Sequence, residues 1–339
     1  MRAAFFRQHG GPEVMEVGEL PDPTPRPGEV VVRVRAAALN RVDKWVRDGW
    51  PGLKLPLPHV LGSDGAGEVV TPGAQFQPGD RVVLNASLSC GLCEYCVAGQ
   101  DNLCARWALL GETVPGADVE LLAVPERQLL ALPAHVSYEQ AAAAALVFQT
   151  AWHSLITRGQ LRPGESVLIV GAAGGVNTAA IQIAKLAGAF VYVVGADAAK
   201  LALAAELGAD VLIDRSQVDW GKEVFARTNR RGVDVVVDNV GAPTLMASLR
   251  AARKGGRVLT VGNSGGPRFE FDNRYLFAKH LSLIGSTMST RAEFATVMGL
   301  VFAGRLRPLV DTVFPLAEVQ AAHAHLDAGD VKGKLVLAL

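Results

Sequence analysis

Residues 167–185 read VLIVGAAGGVNTAAIQIAK. An apolar run comes first, then the turn Gly171-Ala-Ala-Gly174-Gly175-Val176-Asn177, then a run of helical composition. The order is strand, turn, helix. Glycines let the backbone approach a pyrophosphate, and a new helix offers unpaired N–H groups and the positive end of its dipole. Asn177 stands where a third glycine is usual. A glycine turn alone is a weak signal. At the first strand–helix junction of a long alternating pattern it indicates dinucleotide binding.

That pattern continues outward. Apolar runs lie at 166–170, 189–194, 210–214, 233–238, 257–262 and 281–286. Between them sit TAAIQIAKLAG (178–188) and AAKLALAAELG (198–208), each ending in Gly, a common helix stop. Apolar strands separated by helices predict an α/β fold, with a parallel sheet covered on both faces. The second strand ends VVGADAAK (193–200). An NAD site carries an acid about 20 residues past the glycines, but Gly195 follows Val194 directly. Lys200 can meet a 2′-phosphate, so NADP(H) is favoured over NAD(H). Asp197 can still accept from a ribose or cap its helix, and Lys200 can equally be an exposed helix residue.

Before this region the rhythm differs. The first ~125 residues carry short β-type runs broken by Gly and Pro, such as EVVVRVRAAAL (29–39), GAGEVV (65–70) and DRVVLNA (80–86). They read as a β-rich, barrel-like domain. SYEQAAAAALVFQTAWHSLI (137–156) is helical in composition. The expected organisation is a β-rich domain over 1–127, a dinucleotide domain over 128–272, and a segment over 273–339 that ends the sheet and returns to the first domain.

All four cysteines lie in CGLCEYCVAGQDNLC (90–104). The spacing C-x2-C-x2-C-x7-C lets Cys90, Cys93, Cys96 and Cys104 converge on one zinc, in a loop over 88–106. Four sulfurs leave zinc no open position, so the ion is expected to be structural. Lys plus Arg equals Asp plus Glu, 33 each, which gives no basic excess for nucleic acid. The N-terminus lacks a signal-peptide core, and the run AAAAALVF (141–148) is far short of the ~20 residues a membrane helix needs. A soluble, cytoplasmic protein with neither membrane nor nucleic-acid partner is expected, and a reducing compartment favours metal over disulfides.

Together these features resemble the medium-chain dehydrogenase/reductase superfamily over nearly the whole chain. Further matches are PGDRV (78–82), QTAWHSL (149–155), VVVDNVG (235–241), GGRVLTVG (255–262) and AAHAHLDAGDVKGKLVL (321–337). ALNRVDKWVRDG (38–49) and LGSDGAGEVV (61–70) are most similar to its quinone oxidoreductase branch. The resemblance implies a GroES-like barrel domain with a Rossmann domain. It implies cofactor contacts from Asn40, Thr150, Gly171, Gly174, Gly175, Val176, Gly195, Ala196, Lys200, Asn239, Val261, Gly262 and Lys334. For Thr150 a bond back to its own helix is the alternative, and for Lys334 a solvated strand-edge lysine is the slightly favoured one. It also implies a homodimer or homotetramer, with LSLIGST (281–287) as the pairing strand.

Zinc alcohol dehydrogenases of this superfamily place Cys, His and Cys ligands at positions matching Asn40, Ser63 and Val147. Amide and hydroxyl groups are poor zinc ligands and valine is none. Asp64 and the nearby His59 do not make up three ligands, so no catalytic zinc is expected. The catalytic candidates are Asn40, as a hydrogen-bond donor, with Ser63 and Asp64. Asn40 can instead bond only its own loop, Ser63 only its own turn, and Asp43 and Asp64 can be supporting carboxylates. His153 reads as a packed helix residue. The expected activity is NADPH-dependent reduction of quinones, enones or related carbonyls. Alternatives are a zinc alcohol dehydrogenase with atypical ligands, and a redox sensor that binds NADP(H) without turnover.

Overall fold

The computed structural model describes residues 1–339 and divides into two compact units: Met1–Leu146 with Thr290–Leu339, and Val147–Ser289. The first boundary, between 146 and 147, differs from the expected one between 127 and 128. The Leu146 N–H donates to Asp64 Oδ1 at 2.7 Å, which ties the first half of helix Tyr138–Trp152 to the first unit. No helix is long and apolar enough to cross a membrane.

The second unit is built on six parallel strands. In chain order they are Ser166–Val170, Phe190–Gly195, Val211–Asp214, Val233–Asp238, Ala252–Thr260 and Ser282–Gly285. In space they run third, second, first, fourth, fifth, sixth. That is the doubly wound Rossmann order, with its direction reversing between the first and fourth strands. β-branched side chains fill the strands because both faces are covered; every residue of Val233–Asp238 is buried. The helix after the glycine turn spans Gly175–Leu186, three residues earlier than its apolar pattern suggests. Helix Tyr138–Trp152 gives way to a π turn over His153–Arg158, where Ser154 Oγ donates to Thr150 O at 2.7 Å. A hydroxyl inserted into the ladder loosens it in this way.

The first unit centres on strand Glu29–Ala38. It pairs antiparallel with Asp64–Val69, with Leu121–Pro125 and with the C-terminal strand Lys334–Ala338. Asp64 is the partner of Ala38 on one side and Val336 on the other. Continuing the second register sets Lys334 opposite Asn40. Two distant parts of the sequence are thereby brought to the end of one strand, where helix Arg41–Asp48 begins.

That helix also anchors a buried ion network. Arg47 is fully buried. Its guanidinium donates to Gly10 O at 3.1 Å, to Asp48 and Asp327 at 2.7 Å each, and to His323 Nδ1 at 3.1 Å. Arginine only donates, so His323 accepts at Nδ1 and carries its proton on Nε2. Burial, reinforced by the Arg47 charge, pushes His323 down to about 3. Unfolded histidine titrates near 6.5. The fold therefore favours the neutral ring, and this stability is complete above about pH 6.5 and is lost as pH falls toward 3. Urea midpoints should drop between pH 7 and pH 5, and less steeply in His323→Gln. Equal slopes for the two proteins would remove His323 as the cause.

Candidate functional site

In the second unit, the residues expected to meet a dinucleotide gather at the carboxyl ends of the strands. Gly171 follows the first strand at φ +114°, a conformation that side-chain-bearing residues rarely adopt. Gly174 then caps helix Gly175–Leu186 without any side-chain cap, leaving its first N–H groups without a helical partner. Gly174 is exposed, and Gly175 and Val176 are half-buried. Such an end suits a pyrophosphate. Asn239 follows the fourth strand. Val261 and Gly262 follow the fifth, with Val261 N–H on Asp238 O at 3.0 Å.

Gly195 closes the second strand. A Cβ there would sit 2.7 Å from Leu201 Cδ2 and 3.1 Å from Ala172 Cβ, so a larger residue would require Leu201 to shift. Ala196 is exposed beside it. Asp197 Oδ1 caps helix Ala198–Glu206 through Lys200 N at 2.8 Å, and its other oxygen lies 3.5 Å from Lys200 Nζ. Arg215 went unnoticed in the sequence. It follows the third strand, and its N–H donates to Gly195 O at 2.9 Å. Thr150 is buried with Oγ1 3.6 Å from Met288 Sδ.

In the first unit, Asn40, Asp43, Ser63, Asp64, Asp118 and Lys334 are all buried. Asn40 Nδ2 donates to Ala38 O at 3.2 Å and to Asp64 Oδ2 at 2.9 Å. Both amide protons are thus engaged, and the donor role expected of Asn40 has no proton left to serve it. Lys334 Nζ donates to Asn40 Oδ1 and to Asp64 Oδ2, the latter at 2.9 Å. Lys334 is 4% exposed, so the expected solvated strand-edge lysine is instead a buried cation. The register with Ala38 turns it inward, which nothing in KGKLVL signals. Asp64 accepts from Asn40, Lys334 and Leu146 N, and an ammonium offsets its charge.

The carboxylates behind this lock differ from one another. Asp43 accepts from Asn40 N at 2.6 Å and Gly62 N at 3.2 Å, yet burial pushes it up to about 6. Asp118 has no partner on either oxygen. Burial holds it well above the usual carboxylate range, with the charges of Asp43 and Asp64 adding to the effect. Ser63 Oγ donates to Leu110 O at 2.6 Å, rather than to its own turn. His59 Nε2 lies 3.2 Å from Gly111 O, an acceptor, so that nitrogen carries the proton. A neutral amide, a committed hydroxyl and a saturated carboxylate do not fit a zinc ion.

The four cysteines do fit one. Their sulfurs all lie within 4.8 Å of one another, with Cys93–Cys96 at 3.5 Å and Cys90–Cys96 at 3.9 Å. Zn–S bonds of about 2.3 Å in a tetrahedron require sulfurs about 3.8 Å apart. Backbone N–H groups of Leu92 and Cys93 point at Cys90 Sγ from 3.4 and 3.3 Å and hold that thiol down to about 5. Such N–H donors stabilise the thiolate that a metal needs.

Comparison with known proteins agrees with both units. A family model described as alcohol dehydrogenase GroES-like domain matches residues 26–134, and one described as zinc-binding dehydrogenase matches 175–303. Acryloyl-coenzyme A reductase of Metallosphaera sedula is 31% identical over 343 residues, covering 99% of each chain. Quinone oxidoreductase of Homo sapiens is 29% identical, covering 100% of this chain and 98% of its own. A solved structure described as an NAD-dependent alcohol dehydrogenase superposes with TM-score 0.96 at 45% identity, covering 100% of both chains.

Proposed function

Because the chain belongs to the medium-chain dehydrogenase/reductase superfamily and is an NAD(P)H-dependent oxidoreductase, we propose that it reduces quinones, enones or related carbonyls with NADPH, without a catalytic zinc. The observation that carries this reading is the lock of Asn40, Asp64 and Lys334. The carboxylate that a metal would need is neutralised by an ammonium from the chain itself. Acryloyl-coenzyme A and quinones, the acceptors named for two relatives, are conjugated carbonyls.

A nicotinamide bound on the second unit supplies the hydride. The chain's own groups do the rest. Lys334 and Asp64 form a buried ion pair, and the ammonium end of that pair stabilises the oxygen that gains negative charge. Asn40 and Asp64 hold that ammonium in place, and Asn40 is a positioning residue in this scheme. The acceptor spreads its charge by conjugation, and water delivers the final proton. Ser63 secures the 108–110 segment through Leu110 O.

NADPH is favoured because Gly195 stands where an acid would grip a ribose, and Asp197 is committed to its helix cap and to Lys200. The four cysteines hold a structural zinc. The chain is read as a cytoplasmic homodimer or homotetramer that pairs the outer strand Ser282–Gly285; a monomeric mass in solution removes that part.

Metal content and turnover test the reading together. One zinc per chain, with NADPH oxidised in the presence of an enone or quinone, is the expected result. Two zincs with alcohol oxidation would establish an alcohol dehydrogenase, the activity named for the structure of 45% identity. NADPH binding with no turnover across the panel would mark a sensor.

A further inference from the structure

The glycine turn departs from the usual fingerprint at Asn177, and the structure shows what occupies the place. Asn177 is 5% exposed. Its Nδ2 donates to Val170 O at 3.0 Å, closing the last residue of the first strand onto the helix. Its Oδ1 accepts from Asn239 Nδ2 at 3.0 Å. A carbonyl only accepts, so the amide orientation is fixed by Val170, and Oδ1 is left to face Asn239. A Cβ built on Gly171 would lie 2.8 Å from Asn177 Nδ2, and one built on Gly174 would lie 3.0 Å from Asn177 Oδ1. The two fingerprint glycines are therefore wrapped around this amide.

A third glycine in this fingerprint serves close packing of helix on strand. Here a buried side chain fills that space and bonds both sides of the gap where the strand order reverses. One end holds the turn after the first strand, and the other holds the loop after the fourth. Asn239 O in turn accepts from Ser264 N at 3.2 Å, which carries the brace to the loop after the fifth strand.

We infer that Asn177 and Asn239 form a polar brace that presets the glycine turn for the dinucleotide, with Asn177 as a positioning residue for cofactor binding. This rests on the dinucleotide reading of the second unit. A brace that orders the turn beforehand spares the ligand that cost, so its loss appears in affinity.

The test is NADPH and NADH affinity by nucleotide fluorescence, with thermal unfolding on the same samples. Wild type is measured first, and no binding of either nucleotide would sink the dinucleotide reading itself. Asn177→Ala should weaken binding about tenfold, equivalent to about 1.4 kcal/mol. Asn239→Ala removes the shared bond from the loop side and spares the helix, so it keeps the test open if Asn177→Ala folds poorly. It should weaken binding similarly, and the double variant should bind little worse than either single one. Wild-type affinity in Asn239→Ala, or strictly additive losses, would overturn the brace. A lower melting temperature with unchanged affinity would leave Asn177 a packing residue only.

Discussion

Lys334→Met is expected to lower the unfolding free energy by about 3–5 kcal/mol, the usual cost of removing one partner from a buried ion pair. Asp64 is 0% exposed and Lys334 is 4% exposed, so no solvent screens the charge left behind. The Asn40 amide and the Leu146 N–H still donate to Asp64, but neither supplies positive charge. Asn40 also loses the donor to its Oδ1 and is left held through Nδ2 alone at the start of helix Arg41–Asp48. The double variant Lys334→Met with Asp64→Asn should regain most of the loss, because a neutral amide in that place needs no counterion. Urea unfolding of the three proteins decides. A Lys334→Met variant as stable as wild type would show that the pair does not hold a charge in the dry interior, and the electrostatic role given to Lys334 would fall with it. Turnover should fall as well, by about 10²–10³-fold in kcat, the range seen when one group stabilising an oxyanion is removed.

The second large effect concerns the lobe. Cys104→Ser is expected to release the zinc and unfold residues 88–106 while the six-stranded sheet stays intact. The reason is that the lobe has no core of its own. Leu92 is 80% exposed, Val97 77% and Leu103 54%, and Cys104 is the one buried residue of the 90–104 stretch. A segment so short that buries so little needs a staple. Structural zinc in finger peptides contributes about 10–16 kcal/mol, ample to order such a loop. The loss should spread to one neighbour, because Asp101 accepts from Arg291 N, the first N–H of helix Arg291–Phe302, at 3.2 and 3.3 Å. Zinc content and limited proteolysis read the outcome. A metal-free lobe that still resists protease would refute the account.

The sequence already displayed the scaffold because periodicity and glycine placement are local. Each strand and helix between Ser166 and Gly285, the turn at Gly171 and the spacing of the cysteines is read from residues close together in the chain. The lock of Asn40, Asp64 and Lys334 was not legible in the same way. Its members are 24 and 294 residues from Asn40, and only strand register joins them. Asn40 therefore read as a donor when its protons were already committed, and Lys334 read as solvated. Asp118 gave no signal in GADVELL, since only its partnerless burial sets it apart. Asn177 was visible as a gap in a fingerprint, but its bond to Asn239 was not.

The buried ammonium beside Asp64 differs from a bound ion in one further respect. It is tethered to the backbone, so it cannot be diluted, exchanged for a competing metal or stripped by a chelator. Starving cells of zinc would limit how many newly made chains acquire a folded lobe, while the charge beside Asp64 would be present in every chain as soon as the last strand docks.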